Sequence, residues 1–243
     1  NTRKFYFKAL RAILNRANAE GVGSVATYPF GRGGFEVSKL EEATAKRYLP
    51  AAELSKLKST TASNPQCEYA RKLFLFSYYC YGISFIDMAM LTAAHIKQME
   101  DGDYIVYKRQ KIKRQKGVKP ISIKITPAIR QLIGSLQAAS PTVDDFLLPI
   151  VTRSGYTGER LYMHIRARYS KYQKYLRLLA EELGIDFHLT SYVSRHTAAM
   201  TLQRNNIPRE VISQMLGHAD LETTNIYLDS FDNGVINEAA KVL

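Results

Sequence analysis

The chain of 243 residues has no tryptophan and only two cysteines, Cys67 and Cys80. Those two stand thirteen positions apart in a stretch with a helical pattern. A helix separates them by about 20 Å, beyond disulfide reach, so they are expected as buried thiols. No run approaches the roughly 18 apolar residues of a membrane span, and the first residues lack the charged-then-apolar order of a secretory leader. No membrane association is expected, and a soluble, cytoplasmic protein is. Metal-ligand spacing is also missing: there is no Cys-x-x-Cys and no His-Glu-x-x-His, and His95, His164, His188, His196 and His218 are scattered. The Gly-Arg-Gly-Gly at 31–34 lacks the Lys-Ser/Thr ending of a phosphate-cradling loop. Chemistry on a phosphodiester would therefore rest on side chains: cations around the developing charge, an in-line nucleophile and a proton donor for the leaving oxygen.

Acidic residues are scarce where basic ones concentrate. Residues 104–143 hold Lys108, Arg109, Lys111, Lys113, Arg114, Lys116, Lys119, Lys124 and Arg130 with no Asp or Glu, nine of the net charge of +12. A second run, from Arg153 to Arg177, has seven basic residues against Glu159 alone, with Tyr156, Tyr162, Tyr169, Tyr172 and Tyr175 interleaved. One such run is ordinarily a solvated face. Two of them with a pI near 9.6 point to a polyanionic backbone, because each phosphate neutralised releases condensed counterions. Double-stranded DNA is the expected partner.

At 46 % hydrophobic and 23 % charged residues the composition is that of a packed globular protein. Residues 2–19 read as an amphipathic helix with Tyr6, Leu10, Ile13, Leu14 and Ala17 on its apolar stripe. Residues 21–34, with five glycines and a proline, read as a linker, so two parts are expected, 1–34 and 35–243. Helices are expected over 50–58, over 65–80 behind an Asn64-Pro65 cap, over 85–91, over 127–139 behind Thr126, over 158–183, from Thr190 to Arg204 and from Pro208 to Gly217. Short helices are expected over 221–228 and 237–243. Three strand-like runs, 94–99, 104–111 and 119–125, are joined by turns at Asp101-Gly102 and Lys116-Gly117. The expected fold is mainly α with a small three-stranded antiparallel sheet, an α+β arrangement.

The last third carries an ordered constellation. Arg195 stands in Ser-Arg-His-Thr, Leu216-Gly217-His218 follows 23 residues later, and Tyr227 lies nine residues beyond that histidine. An arginine offers two phosphate oxygens a planar fork of donors. A glycine in the left-handed conformation ends a helix so that the next side chain projects from a turn. In these residues the chain resembles the tyrosine recombinases, or phage-integrase family, from about residue 36 to the end. The resemblance implies a recombinase catalytic domain, with residues 2–19 as the last helix of a truncated core-binding domain. It assigns Arg195 and His218 to the phosphate and Tyr227 as the nucleophile that forms a 3′-phosphotyrosyl intermediate, with no metal or other cofactor. Lys111 matches the sheet lysine that protonates the 5′-oxygen, with Lys108, Lys113 and Lys116 as near alternatives. Arg109, Lys113, Arg114 and Lys116 are expected to bind DNA. A tetrameric synapse on DNA, joined through the 237–243 helix, is also implied by resemblance.

Two positions depart from the family pattern. Ser84, in Tyr-Gly-Ile-Ser-Phe-Ile-Asp-Met, stands where most members carry a phosphate-binding arginine, and Tyr192 stands where many carry histidine. The box resembles integrases from mobile elements of Bacteroides-like bacteria, in which an arginine commonly precedes the glycine; that position here is Tyr81. Arg71, Arg109 and Arg114 are the candidates to supply the missing guanidinium, and Ser84 is itself suited to cap the helix that follows. A catalytically weak DNA-binding regulator of the same fold is the alternative reading, with a type IB topoisomerase-like enzyme behind it.

Overall fold

In the computed structural model, residues 2–31, 33–40, 48–218, 224 and 228 are described. Apart from Thr224 and Leu228, the expected helices over 221–228 and 237–243, and Tyr227 with them, lie outside these residues. Two units are distinguished, Asn1–Ala45 and Lys46–Leu243.

In the first unit, α1 spans Thr2–Ala19. The stripe expected to be its packed face is exposed at Tyr6, Leu10 and Ile13. The helix packs instead through Phe7, whose ring lies 4.6 Å from that of Phe35 and 6.4 Å from that of Phe30. The segment read as a linker is folded against it. Phe30 pairs with Phe35, the Phe35 amide donates to Pro29 O at 2.7 Å, and a Cβ on Gly34 would stand 2.6 Å from that carbonyl. Glycine is there for close approach rather than for flexibility.

The second unit is built around a helix that is apolar on nearly every side. Asn64 caps α3 (Pro65–Tyr79) by accepting from the amides of Gln66 and Cys67. Leu73, Phe74 and Phe76 are fully buried, each worth about 1.5–3 kcal/mol of apolar burial. A helix apolar all round must be enclosed. α5 (Pro127–Ala139), α6 (Gly158–Glu182) and α7 (Val193–Arg204) enclose this one. α2 (Ala51–Ser59) lies against its side, and α4 (Phe85–Ala89) follows it. Ile165, Tyr172, Leu176 and Leu179 form the buried stripe of α6. Cys67 and Cys80 are buried free thiols.

The sheet is antiparallel in the order β1 (Ile96–Met99), β2 (Gly102–Tyr107), β3 (Ile121–Lys124), with Ile105 opposite both Ile96 and Ile123. Ile105, Tyr107, Ile121 and Ile123 point inward while Ser122 and Lys124 face solvent, the alternation of a sheet covered on one face. Each strand is shorter than its apolar run. β1 starts late because His95 Nδ1 accepts from the Thr92 amide at 3.0 Å and closes a 3-10 turn. β2 stops at Tyr107, and shortly beyond it the Gln110 amide is taken by Asp87 rather than by a neighbouring strand. Lys111 is therefore in the connection after β2 and not on the strand. α8 (Arg209–Leu216) completes the described core, where Ile212 and Leu216 pack with Ala199, Met200 and Leu228. No described helix is long and apolar enough to cross a membrane.

Candidate active site

α7 begins at Val193, two residues later than a Thr190 cap would give, and Tyr192 occupies the cap position without a side-chain cap bond. The cause lies on α6. Gln173 Oε1 accepts from the Ser191 amide at 2.9 Å, Gln173 Nε2 donates to the Tyr169 hydroxyl at 2.9 Å, and that hydroxyl lies 3.1 Å from Ser191 Oγ. Held there, the chain enters α7 with Arg195 in the first turn, only 4 % exposed. Arg195 Nη1 donates to Gly82 O at 3.1 Å, and Nη2 donates to Leu216 O at 2.5 Å and lies 2.9 Å from His218 Nε2. One guanidinium thus joins the turn after α3, the end of α8 and the histidine beyond it.

Both partner turns depend on glycine. Gly82 has φ +71°, and a Cβ there would stand 2.4 Å from Arg195 Cα. Gly217 has φ +64° and ψ +43°. Its amide donates to Gln214 O and that of His218 to Ser213 O, each at 3.0 Å, the Schellman pattern that satisfies terminal carbonyls. His218 is thereby aimed back at Arg195, and its Nδ1 lies 2.7 Å from Thr224 Oγ1. Because an arginine can only donate, this pattern assigns the Nδ1–H tautomer, with the Nε2 lone pair facing Arg195.

A second guanidinium stands beside the first. Arg109 Nη1 donates to Gly217 O at 3.4 Å, so both arginines hold the carbonyl end of α8, where the helix dipole favours cations. Asp87, 3 % exposed, sets this connection. It accepts from Ser84 Oγ at 2.6 Å and from the Gln110 amide at 2.7 Å, tying α4 to the residue after Arg109. Burial, and next the charge of Arg109, pull the Arg195 pKa down to about 10. Arg195 stays a cation at neutral pH, and an arriving anion would relieve the crowding of positive charge.

Arg195, Arg109 and Arg166 line one cavity of about 400 Å³, with Ser84, Tyr162, Tyr169 and Tyr192 among its walls. Ser84 caps α4, accepting from the Asp87 amide. Tyr192 is half exposed, its ring edge-on to His196 at 5.1 Å. Lys111, Lys113, Arg114 and Lys116 are exposed in the connection between β2 and β3, outside the cavity wall. Arg71 is engaged elsewhere, donating to both oxygens of Glu68 and to Leu57 O. Among the three candidates for the missing guanidinium, Arg109 is the one in the cavity. Tyr162, Ile165, Arg166 and Tyr169 reach it from α6 at the i, i+3, i+4, i+7 spacing of one helix face. That spacing is legible in the sequence, but the second basic run is read there, with the first, as a surface for a polyanionic backbone, and this helix face is not singled out. Among the described residues no group of three or more His, Cys, Asp or Glu is placed to hold a metal ion.

The model of the phage integrase family matches residues 47–233. Tyrosine recombinase XerC of Rhodospirillum centenum is 31 % identical over 114 residues, 47 % of this chain and 31 % of that protein. Tyrosine recombinase XerD of Halalkalibacterium halodurans is 43 % identical over 54 residues, 22 % of this chain and 18 % of that protein. The matches thus span less than a third of these curated relatives. Among solved structures, one of the Tn1549 transposon integrase with a circular intermediate DNA is similar over 100 % of this chain and 78 % of that one, with a TM-score of 0.63 at 14 % identity. The XerA recombinase crystal structure is similar over 84 % of this chain and 66 % of that one, with a TM-score of 0.56 at 21 % identity. These likenesses establish the mainly helical fold with its three-stranded sheet.

Proposed function

The chain belongs to the phage integrase family, and from that premise we propose that it is a site-specific DNA recombinase that cuts and rejoins duplex DNA through a tyrosyl intermediate. The observation that carries the reading is the 2.9 Å approach of the buried Arg195 guanidinium to His218 Nε2, with Arg109 on the same helix end. Tyr227 is the nucleophile. Its phenolic oxygen bonds to phosphorus as the bond to the 5′-oxygen breaks, leaving a 3′-phosphotyrosyl link and a 5′-hydroxyl. His218 Nε2, which presents a lone pair in the unbound site, takes the phenolic proton, and the imidazolium then donates to a non-bridging oxygen. Lys111 protonates the departing 5′-oxygen. Arg195 and Arg109 balance the charge that builds on the equatorial oxygens. Attack by the 5′-hydroxyl of a second duplex reverses the step, and the linkage conserves the bond energy between them.

Arg109 takes the role that Ser84 cannot fill. Arg166, Lys113, Arg114 and Lys116 contact the DNA backbone. The form of the Ser84 box supports a place among integrases of mobile elements, acting in the cytoplasm. Assembly into a tetrameric synapse, with residues 237–243 docked on a neighbouring protomer, follows from the same reading, as does a part of the core-binding domain in residues 1–34.

A DNA duplex nicked beside the cleavage site tests the proposal, because the short 5′ fragment diffuses away and traps the adduct. Covalent adduct from the chain and none from Tyr227→Phe is the expected result. Binding with no adduct from either protein favours the DNA-binding regulator, and relaxation of supercoils at unspecific sites by the monomer favours the topoisomerase-like enzyme.

A further inference from the structure

We propose that Ser77 on α3 and Ser194 on α7 form a buried positioning pair for Arg195, an inference that rests on the phosphate-binding role given to Arg195 above. The two side chains are 1 % and 0 % exposed, and their Oγ atoms lie 2.7 Å apart. Ser77 Oγ is also 2.8 Å from Ile83 O, and Ser194 Oγ is 2.8 Å from Ser191 O. Carbonyls only accept, so two hydroxyl protons serve three contacts. Whichever hydroxyl donates to the other, the link between the helices is made and one carbonyl goes without a hydroxyl proton. The pair therefore acts as one unit.

Its placement is what gives it a function. Ser194 is the residue before Arg195. Ser77 holds the other end of the Arg195 contact twice, because its main-chain carbonyl accepts from the Gly82 amide at 2.7 Å while its hydroxyl reaches the residue after Gly82. The main chain that carries the guanidinium and the carbonyl that receives Nη1 are thus pegged to the same two oxygens. Gly82 brings no side chain to the Arg195 backbone, so the hydroxyl pair sets the spacing of α3 and α7 at this point. Removing both hydroxyls together removes the donor and the acceptor of the link alike and strands only the one carbonyl that a hydroxyl proton had served, a milder change than leaving one hydroxyl without the other. A misplacement of the guanidinium by a fraction of an ångström still costs rate.

The test compares the full chain with Ser77→Ala/Ser194→Ala on nicked duplexes that carry either an ordinary scissile phosphate or a methylphosphonate, whose lost oxygen removes the charge that Arg195 balances. Arg195→Ala serves as the benchmark. On the phosphate, adduct formation is expected to fall about 10- to 100-fold at saturating DNA, with DNA affinity near that of the parent and the melting temperature lowered by only a few degrees. On the methylphosphonate the deficit should shrink in the same proportion as that of Arg195→Ala. An unchanged rate on the phosphate, or a deficit that ignores the substrate while that of Arg195→Ala does not, overturns the proposal. A second measurement does not need the reaction. Arg195, buried in the folded chain, should resist phenylglyoxal and become labelled in the double variant, as read by mass spectrometry. If the parent forms no adduct, the recombinase reading fails, and unchanged labelling of Arg195 then overturns the positioning role as well.

Discussion

Replacing Gly82 with alanine should damage the site through two separable effects. The first is conformational: at φ +71° an alanine pays the left-handed penalty of about 1–2 kcal/mol. The second is crowding. The new Cβ would stand 2.4 Å from Arg195 Cα, 2.5 Å from its Cβ and 2.6 Å from its Cγ, about 1 Å inside ordinary contact, and a main-chain atom cannot swing aside. Overpacking of this kind costs about 1–3 kcal/mol. Together they come to about 3 kcal/mol, which in a unit of this size lowers the melting temperature by about 6–12 °C. Gly155→Ala is the control, because its φ is +70° with nothing within 4 Å of the added atom. It meets the conformational penalty alone, and the entropy that alanine removes from the unfolded chain is common to both variants. Calorimetry on the three proteins therefore isolates the crowding as the difference between the two variants. The same 1 Å shift falls on the Arg195 contact, so adduct formation by Gly82→Ala should drop about 100-fold while Gly155→Ala cleaves like the parent. Equal melting temperatures and equal cleavage for the two variants would refute the close packing of Gly82 on Arg195 as the reason for glycine at this position.

Arg109→Ala should lose about 3 kcal/mol of transition-state stabilisation, roughly 100-fold in the rate of adduct formation at saturating DNA, while Arg114→Ala, which loses a backbone contact and hence affinity, stays within about twofold of the parent in that rate; equal losses would remove Arg109 from its special place. Lys111→Ala should slow cleavage by about 100-fold, and a substrate with sulfur in place of the 5′-leaving oxygen should restore the rate, because a thiolate departs without a proton. No restoration with sulfur would transfer the acid role to another lysine. Burial alone would raise the Glu68 pKa, but the hydrogen bonds from Arg71 and the Ala62 amide and the charges of Arg71 and Lys72 outweigh it and hold the carboxylate below its ordinary value of 4.5. The stability this lends is present above that ordinary value and lost as pH falls through the lowered one. Glu68→Gln should therefore unfold more easily than the parent at neutral pH, with the gap closing in acid. A gap that stays constant across urea unfolding curves from neutral to acidic pH would contradict this assignment.

Much of the helical framework could be read residue by residue, because its signals are local. Asn64-Pro65, Thr126-Pro127, Ser84 and Gly217 each mark a helix end by satisfying main-chain groups within three or four residues of themselves. The misreadings occurred where a distant side chain overrode such a signal. Gln173 displaced the start of α7 from Thr190, and Asp87 took the Gln110 amide that a longer second strand would have used. The glycine-rich stretch after α1 looked like a linker because composition registers conformational freedom but not the aromatic rings that Phe30 and Phe35 bring against Phe7.

The site divides in the same way. Arg195, His218 and the glycine between α8 and His218 were legible as residue types at fixed spacing, since an arginine fork and a left-handed turn are properties of those residues themselves. The choice among Arg71, Arg109 and Arg114 was not, because all three carry the same charge and differ only in what surrounds them. Glu68 and Leu57 O occupy Arg71, Arg114 is exposed on a turn, and Arg109 is brought to the end of α8 by a carboxylate more than twenty residues earlier in the chain. Residue type and order were enough to place the chain in its family. Which of the three arginines joins Arg195 on the cavity wall was decided only by packing, because that outcome depends on distances between segments that no local pattern encodes.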